Sequence, residues 1–265
     1  MDTTGTFWLP GKHSTFAGEV DSVFYFIYGI SIFFFVLIVG LMIYFVIRYR
    51  RRKNQGDAGV SGPVHNNILE MAWIIIPFIL VIIIFILGFR GFMRMNIVPK
   101  DALEIKVTGQ KWFWSFDYPE GATAVNEMVV PVNKPVKLLM SSTDVIHSFF
   151  VPSFRIKRDV LPNRYSVIWF EATDTGVYDI FCTEYCGTGH SDMLGKVKVV
   201  SVAEYEDWLS VSSLGGEGMS PAEYGAKLYV SKACVTCHSI DGTRGNGPSF
   251  KSISGMRLNS QINRK

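Results

Sequence analysis

Two long stretches without a single charge set the terms for this chain. Val23 to Ile47 and Met71 to Phe89 contain no Asp, Glu, Lys or Arg. Wound as a helix at 1.5 Å per residue, the first covers roughly 37 Å, enough to cross a bilayer. In hydrocarbon, backbone polar groups must be satisfied within the segment, which leaves helices as the natural reading of such runs. Pro77 interrupts the second run, and a proline inside a membrane helix is tolerated, usually as a kink. The mean hydropathy of +0.22 agrees, because the apolar residues are concentrated early in the chain. A buried hairpin of a soluble protein is the alternative, and runs of this length weigh against it. The first run is also too long for a cleaved signal peptide and lacks the basic lead-in of one. The expected anchor is a transmembrane hairpin over residues 23–95, with spans at about 23–47 and 68–92, preceded by an outer segment over residues 1–22.

Between the runs lies Arg48-Tyr49-Arg50-Arg51-Arg52-Lys53, followed by a turn through Gly62-Pro63. Lys and Arg collect in cytoplasmic loops, so this loop is expected inside and both termini outside. A nucleic-acid patch is the rival reading of such a cluster. Its place between two spans favours topology, and a net charge of +3 is too small to argue for a nucleic-acid partner. Glu70 and Trp73 open the second span at the depth where headgroups lie.

From Ala102 the period changes. Leu103, Ile105 and Val107 alternate with polar residues. Short apolar segments then recur at Met128–Val132, Val136–Met140, Tyr165–Glu171, Gly176–Phe181 and Lys196–Val200. Asn133, Pro162-Asn163 and Thr173-Asp174 separate them as turns, and Asn163 tolerates left-handed backbone better than other non-glycine residues. Short strands with regular turns predict a β-sandwich or barrel over residues 96–210.

Within that domain, Cys182-Thr183-Glu184-Tyr185-Cys186-Gly187-Thr188-Gly189-His190-Ser191-Asp192-Met193 gathers two thiols, an imidazole and a thioether. Soft sulfur with imidazole favours copper over magnesium or calcium. Two glycines let the chain fold back toward the cysteines. A disulfide or a structural zinc site is the alternative, but zinc has no use for Met193 and a disulfide needs neither His190 nor Met193.

This stretch resembles the binuclear copper (CuA) loop of cytochrome c oxidase subunit II, Cys-x-Glu-x-Cys-x3-His-x2-Met. The resemblance implies a cupredoxin-like Greek-key β-barrel behind a two-helix membrane anchor. It implies two coppers bridged by Cys182 and Cys186, with His147 and His190 as one histidine each, Met193, and the backbone carbonyl of Glu184. The Glu184 side chain would face a magnesium ion shared with subunit I. Glu70-Met71-Ala72-Trp73-Ile74-Ile75-Ile76-Pro77 matches the family's Glu-x2-Trp-x3-Pro, which places Glu70 at the entrance of a proton pathway into subunit I. Gln110-Lys111-Trp112-Phe113-Trp114 resembles the family's Gln-Trp-x-Trp segment, with Lys111 as a departure, and makes Trp112 the residue that receives electrons from cytochrome c. On general grounds an aromatic cluster like this is more often core.

The tail begins with Ser212-Ser213-Leu214-Gly215-Gly216-Glu217-Gly218, read as part of a linker over residues 211–220. Ser220-Pro221-Ala222-Glu223 is a helix-capping pattern. Cys234-Val235-Thr236-Cys237-His238 is the c-type haem attachment signature, with two thioether cysteines and His238 as iron ligand. A thioredoxin-like redox pair is the alternative. Gly225 to Tyr229 and Gly247 to Phe250 resemble class I cytochrome c, so residues 221–265 are expected to be a partial α-helical cytochrome c domain, as in bacterial caa3-type oxidases. Only 27 residues follow His238. The chain is therefore expected to be part of a longer subunit, and Met256 is not expected to be the sixth haem ligand.

The expected function is that of an electron-accepting oxidase subunit in a bacterial inner membrane, working with subunits I and III and a cytochrome c donor. Electrons would pass from cytochrome c through the copper centre to haem in subunit I, where oxygen is reduced to water with proton translocation. A CuA-bearing subunit of a nitric oxide reductase, or a zinc- or disulfide-stapled membrane scaffold, are the alternatives. A quinol oxidase subunit is disfavoured because the copper ligands it would lack are all present.

Overall fold

The charge-free runs wind into helices that outgrow them. The computed structural model describes residues 4–50, 65–213 and 220–251, and divides the chain into a helical unit, Phe16–Ile97, and a second unit, Met1–Thr15 with Val98–Lys265. Helix α1 (Ala17–Arg48) and helix α2 (Asn67–Asn96) extend past the expected spans at both ends, because the polar residues flanking each run also take helical backbone. Neither apolar stretch is buried within the chain. Side chains such as Phe33, Phe35, Phe78 and Phe85 stand more than 60% exposed, an apolar surface that needs a bilayer or another subunit to cover it.

Inside the helical unit, Arg94 Nη1 lies 3.1 Å from Glu19 Oε2, tying the start of α1 to the end of α2. At the head of α2, the Asn66 side chain accepts from Leu69 N at 3.1 Å while Glu70 Oε1 accepts from Asn66 N at 3.2 Å. This reciprocal cap satisfies two amides that no helical turn can reach. Pro77 is carried inside α2. Arg51, Arg52, Lys53, Gly62 and Pro63 lie outside the described residues.

Among its described residues the second unit holds ten strands: β1 (Leu103–Gln110), β2 (Phe113–Asp117), β3 (Thr123–Val125), β4 (Glu127–Pro131), β5 (Pro135–Ser142), β6 (His147–Val151), β7 (Ile156–Val160), β8 (Ser166–Glu171), β9 (Gly176–Cys182) and β10 (Leu194–Val200). They form two five-stranded sheets, β3-β2-β1-β5-β8 and β4-β10-β9-β6-β7, so the expected barrel is built as a sandwich. Two pairings are parallel, β1 with β5 and β4 with β10. Alternation does what the sequence suggests: Ile105, Val107, Val136, Leu138, Met140, Val197 and Val199 point inward and are buried. Asn133 and Asn163 take the left-handed backbone expected of turn asparagines, at φ 54° and 58°.

Helix α3 (Val202–Ser213) runs three residues into the span read as linker. Its head carries a second cap, Ser201 with Glu204, in which Glu204 Oε2 accepts from Ser201 N at 2.9 Å. Buried Tyr205 and the Tyr118–Trp208 ring pair (centroids 4.9 Å apart) hold it on the sandwich. The cap expected at Ser220 and Glu223 opens helix α4 (Pro221–Ser231), and both of its hydrogen bonds are present.

The segment ahead of α1 is also part of the sandwich unit. Ser14 bridges Ala172 and its hydroxyl donates to the Phe154 carbonyl at 2.8 Å. The Arg155 guanidinium donates to the Pro10 carbonyl at 2.7 Å and to that of Gly11 at 3.4 Å.

Candidate metal centre

Strand ends bring the soft ligands together. His147 is the first residue of β6 and Cys182 the last of β9, and Phe149 pairs with Cys182 across these two strands. The chain then loops back through a 3-10 turn at His190–Asp192 to Met193, whose carbonyl accepts from Cys182 N at 3.3 Å. Gly187 bends this loop at φ +118°, a conformation that side chains resist. His147 and Met193 are fully buried, and Cys186 and Cys182 nearly so.

The donor atoms converge. Cys182 Sγ and Cys186 Sγ are 3.8 Å apart, and both thiols are free. Cys186 Sγ lies 3.4 Å from His190 Nδ1 and 3.7 Å from Met193 Sδ. Cys182 Sγ lies 3.9 Å from His147 Nδ1 and 3.3 Å from the Glu184 carbonyl, while the Glu184 side chain is exposed. His147, Cys182 and Cys186 thus form a group able to hold a metal ion. Six donors exceed what one tetrahedral zinc ion takes, and the thioether is a soft ligand suited to copper.

Burial raises the Cys182 thiol, yet His147 and the backbone of Ser148 and Glu184 outweigh it and bring Cys182 down to about 6. Burial and the facing Cys182 push Cys186 up to about 12. One thiolate forms easily and the second needs a cation between them. His147 is raised: burial alone would lower it, but Cys182 and Asp144 prevail. Burial would raise Asp144 in turn, but the Lys111 amide and His147 hold it below its ordinary value.

Two tryptophans divide the aromatic cluster between them. Trp114 is core, fully buried and edge-on to Phe149 at 5.3 Å and His147 at 5.9 Å. Trp112 lies on the loop instead: a Cβ on Gly189 would sit 2.5 Å from its ring, and one on Gly187 3.4 Å. Gly189 therefore serves close approach of the ring, and Gly187 chain reversal.

Of the other expected site residues, Glu70 is a capping group in the helical unit, with His65 Nδ1 at 3.5 Å from its carboxylate. Cys234 to Thr236 form a single 3-10 turn after α4, and His238 N donates to the Cys234 carbonyl at 2.9 Å. His238 stacks on Phe250 at 4.5 Å, and its Nδ1 is 2.7 Å from the Pro248 carbonyl. Beside this turn is an apolar cavity of about 500 Å³ lined by residues including Leu228, Tyr229, Cys234, Ile240 and Phe250. Met256 lies outside the described residues. Sequence reasoning gave no role to Asp144, although it stands three residues before His147, within reach of that ring.

A family model described as cytochrome C oxidase subunit II, periplasmic domain, matches residues 122–200, and one for the transmembrane domain matches residues 3–90. Cytochrome c oxidase subunit 2 of Alkalihalophilus pseudofirmus is 34% identical over 237 residues, spanning 84% of this chain and 69% of that protein. Its counterpart from Cereibacter sphaeroides is 30% identical over 213 residues, 66% of this chain and 69% of that one. Among solved structures, the periplasmic domain of subunit II of cytochrome oxidase of Bradyrhizobium japonicum is similar, with 36% identity, 44% of this chain and 96% of that chain covered, and a TM-score of 0.43.

Proposed function

This chain belongs to the cytochrome c oxidase subunit II family, and on that premise we propose how its residues serve the enzyme. It is a membrane-anchored subunit of a haem-copper oxidase, with two apolar helices and a periplasmic domain, and it works alongside the other oxidase subunits. The observation that carries the site assignment is the convergence of two buried thiols, two imidazoles, a thioether and a carbonyl in one loop. His147, Cys182, Cys186, His190, Met193 and the Glu184 carbonyl would hold the binuclear CuA centre, which when bound supplies a one-electron relay shared between two metal ions. The chain's own part is to keep these ligands still. Strand ends fix His147 and Cys182, and the loop's backbone bonds fix the rest, so little protein moves when an electron arrives.

Trp112, lying against Gly187 and Gly189, is the residue that receives electrons from a cytochrome c, which then continue toward haem in subunit I. Oxygen reduction to water and proton translocation take place on that other chain, with subunit III in the assembly. Residues 96–210, which include most of α3, make up the copper domain, residues 211–220 a linker, and residues 221–265 part of a cytochrome c domain of caa3-type. Cys234 and Cys237 would carry haem c as thioethers, with His238 on the iron. Two features support this: the Pro248 carbonyl takes the Nδ1 proton of His238 and leaves Nε2 as the free ligand atom, and the adjoining cavity is apolar. Glu70 is the proposed proton inlet and the exposed Glu184 carboxylate a magnesium ligand at the subunit I interface. Both termini lie on the outer side of a bacterial inner membrane.

Metal analysis and intact mass of the purified chain test the assignment together. Two coppers per chain and the added mass of one haem are expected. One zinc or no metal would overturn the copper reading, and an unmodified mass would overturn the haem reading alone.

A further inference from the structure

Asp144 uses its two oxygens for two different parts of the site. Oδ1 lies 2.9 Å from His147 Nε2 and also accepts from Val145 N at 2.6 Å. Oδ2 accepts from Lys111 N at 2.8 Å, the amide directly before Trp112. A carboxylate facing Nε2 makes that nitrogen the proton-bearing one and leaves the lone pair on Nδ1, the atom turned toward Cys182. The His147 ring has no room to turn otherwise. It is fully buried, meets Trp114 edge-on, and a Cβ on Gly109 would come within 3.0 Å of its Cδ2.

We propose that Asp144 is a positioning residue that locks the copper-facing histidine and the electron-accepting tryptophan into one rigid piece. The inference rests on the copper assignment made above. Through Oδ1 it sets the tautomer and tilt of His147. Through Oδ2 it sets the backbone from which the Trp112 ring reaches Gly187 and Gly189, residues 75 and more positions along the chain. A bland role exists for such a residue, because an aspartate that bonds its own neighbour Val145 shapes a turn. The bonds to Lys111 and His147 are what a turn alone does not need.

Asp144→Asn separates the two roles. An amide offers one oxygen and one NH2, so in either orientation it confronts Lys111 N–H or His147 Nε2–H with a donor and breaks that bond. In the copper-loaded full chain within the oxidase, Asp144→Asn should keep two coppers per chain but change the midpoint potential and one histidine hyperfine coupling. Electron input from cytochrome c should fall about 10- to 100-fold, at low and at high ionic strength alike. An unchanged potential and hyperfine pattern would overturn the proposal, as would a rate defect that disappears at high salt, which is the signature of a docking charge alone. A second measurement needs no variant. In the wild-type protein the His147 Nε2 proton should resist deuterium exchange, whereas that of the half-buried His190 should exchange quickly; fast exchange of both sinks the idea. Wild-type protein without copper would instead defeat the assignment on which this rests.

Discussion

The loop between β9 and β10 and the turn after α4 each set two cysteines beside a histidine, yet they are assembled by opposite means. The loop draws its donors from His147 to Met193, from two strand ends and a doubled-back chain, and buries both thiols. The turn takes its three from Cys234 to His238, one stretch of backbone, and leaves them half exposed. A metal held only by donor atoms needs a scaffold that fixes those atoms before the metal arrives. A cofactor tied by covalent bonds needs only a local presentation, with an apolar cavity beside it. The first kind of site is lost when any distant part moves, and the second when its own turn changes.

That contrast can be broken at its strongest point. Cys186→Ser removes the thiol with His190 and Met193 beside it, and should leave at most one copper and abolish the delocalised near-infrared band. The Cys234–His238 turn should stay intact, so the added mass of the haem proposed for it should be unchanged. Retention of the band would show that the loop does not depend on both thiols. A smaller effect is expected at Trp112→Ala. Electron arrival from cytochrome c should slow roughly 100-fold with the copper spectrum unchanged, since the ring covers the loop without supplying a donor atom. Trp114→Ala should instead cost about 3–5 kcal/mol of stability, as a buried tryptophan in the core; if it has the larger effect on electron arrival with copper intact, the two roles are reversed. The mildest test lies in the tail. Ser220→Ala removes the α4 cap and should cost about 1 kcal/mol locally. Amides at Glu223 to Leu228 should exchange faster, while those of β9 and β10 are unaffected. Altered exchange in β9 would mean that the tail and the loop are not separately held.

Most of what the sequence reading picked out is written locally, although His147, 35 residues from Cys182, was reached through the family resemblance. The Cys182–Met193 stretch, the Cys234–His238 turn, the charge-free runs and the Ser220 cap all lie within short windows. Strands β1, β4, β5, β8, β9 and β10 were legible because at least part of each alternates or is rich in β-branched and aromatic residues. Strand β7 was not: Ile156 and Val160 are buried and the three residues between them are exposed, a pattern without a two-residue period. In β6 four of five residues are buried, which also erases alternation. Helix α3 has no counterpart in the sequence reading, which ends the β domain at residue 210 and starts a linker at the serines; Tyr205 and Trp208 supply the tertiary contacts that keep it wound. Asp144 escaped because its work is done across 33 residues, on an amide that no spacing rule points to.

The strap over residues 4–15 bears on how the sandwich is completed in time. Ser14 reaches Phe154 across 140 residues and Arg155 reaches Pro10 across 145. At roughly 5–20 residues per second of synthesis, the strap waits on the order of 7–30 s before its partners exist. Closing so long a loop comes late and depends on a sandwich already formed, because the entropy of closure must be met before the contacts reward it. The strap acts as a clasp: contacts made after the rate-limiting step do little to speed folding and mainly slow its reversal. A segment made some 140 residues before its partners is thus among the last to find its place.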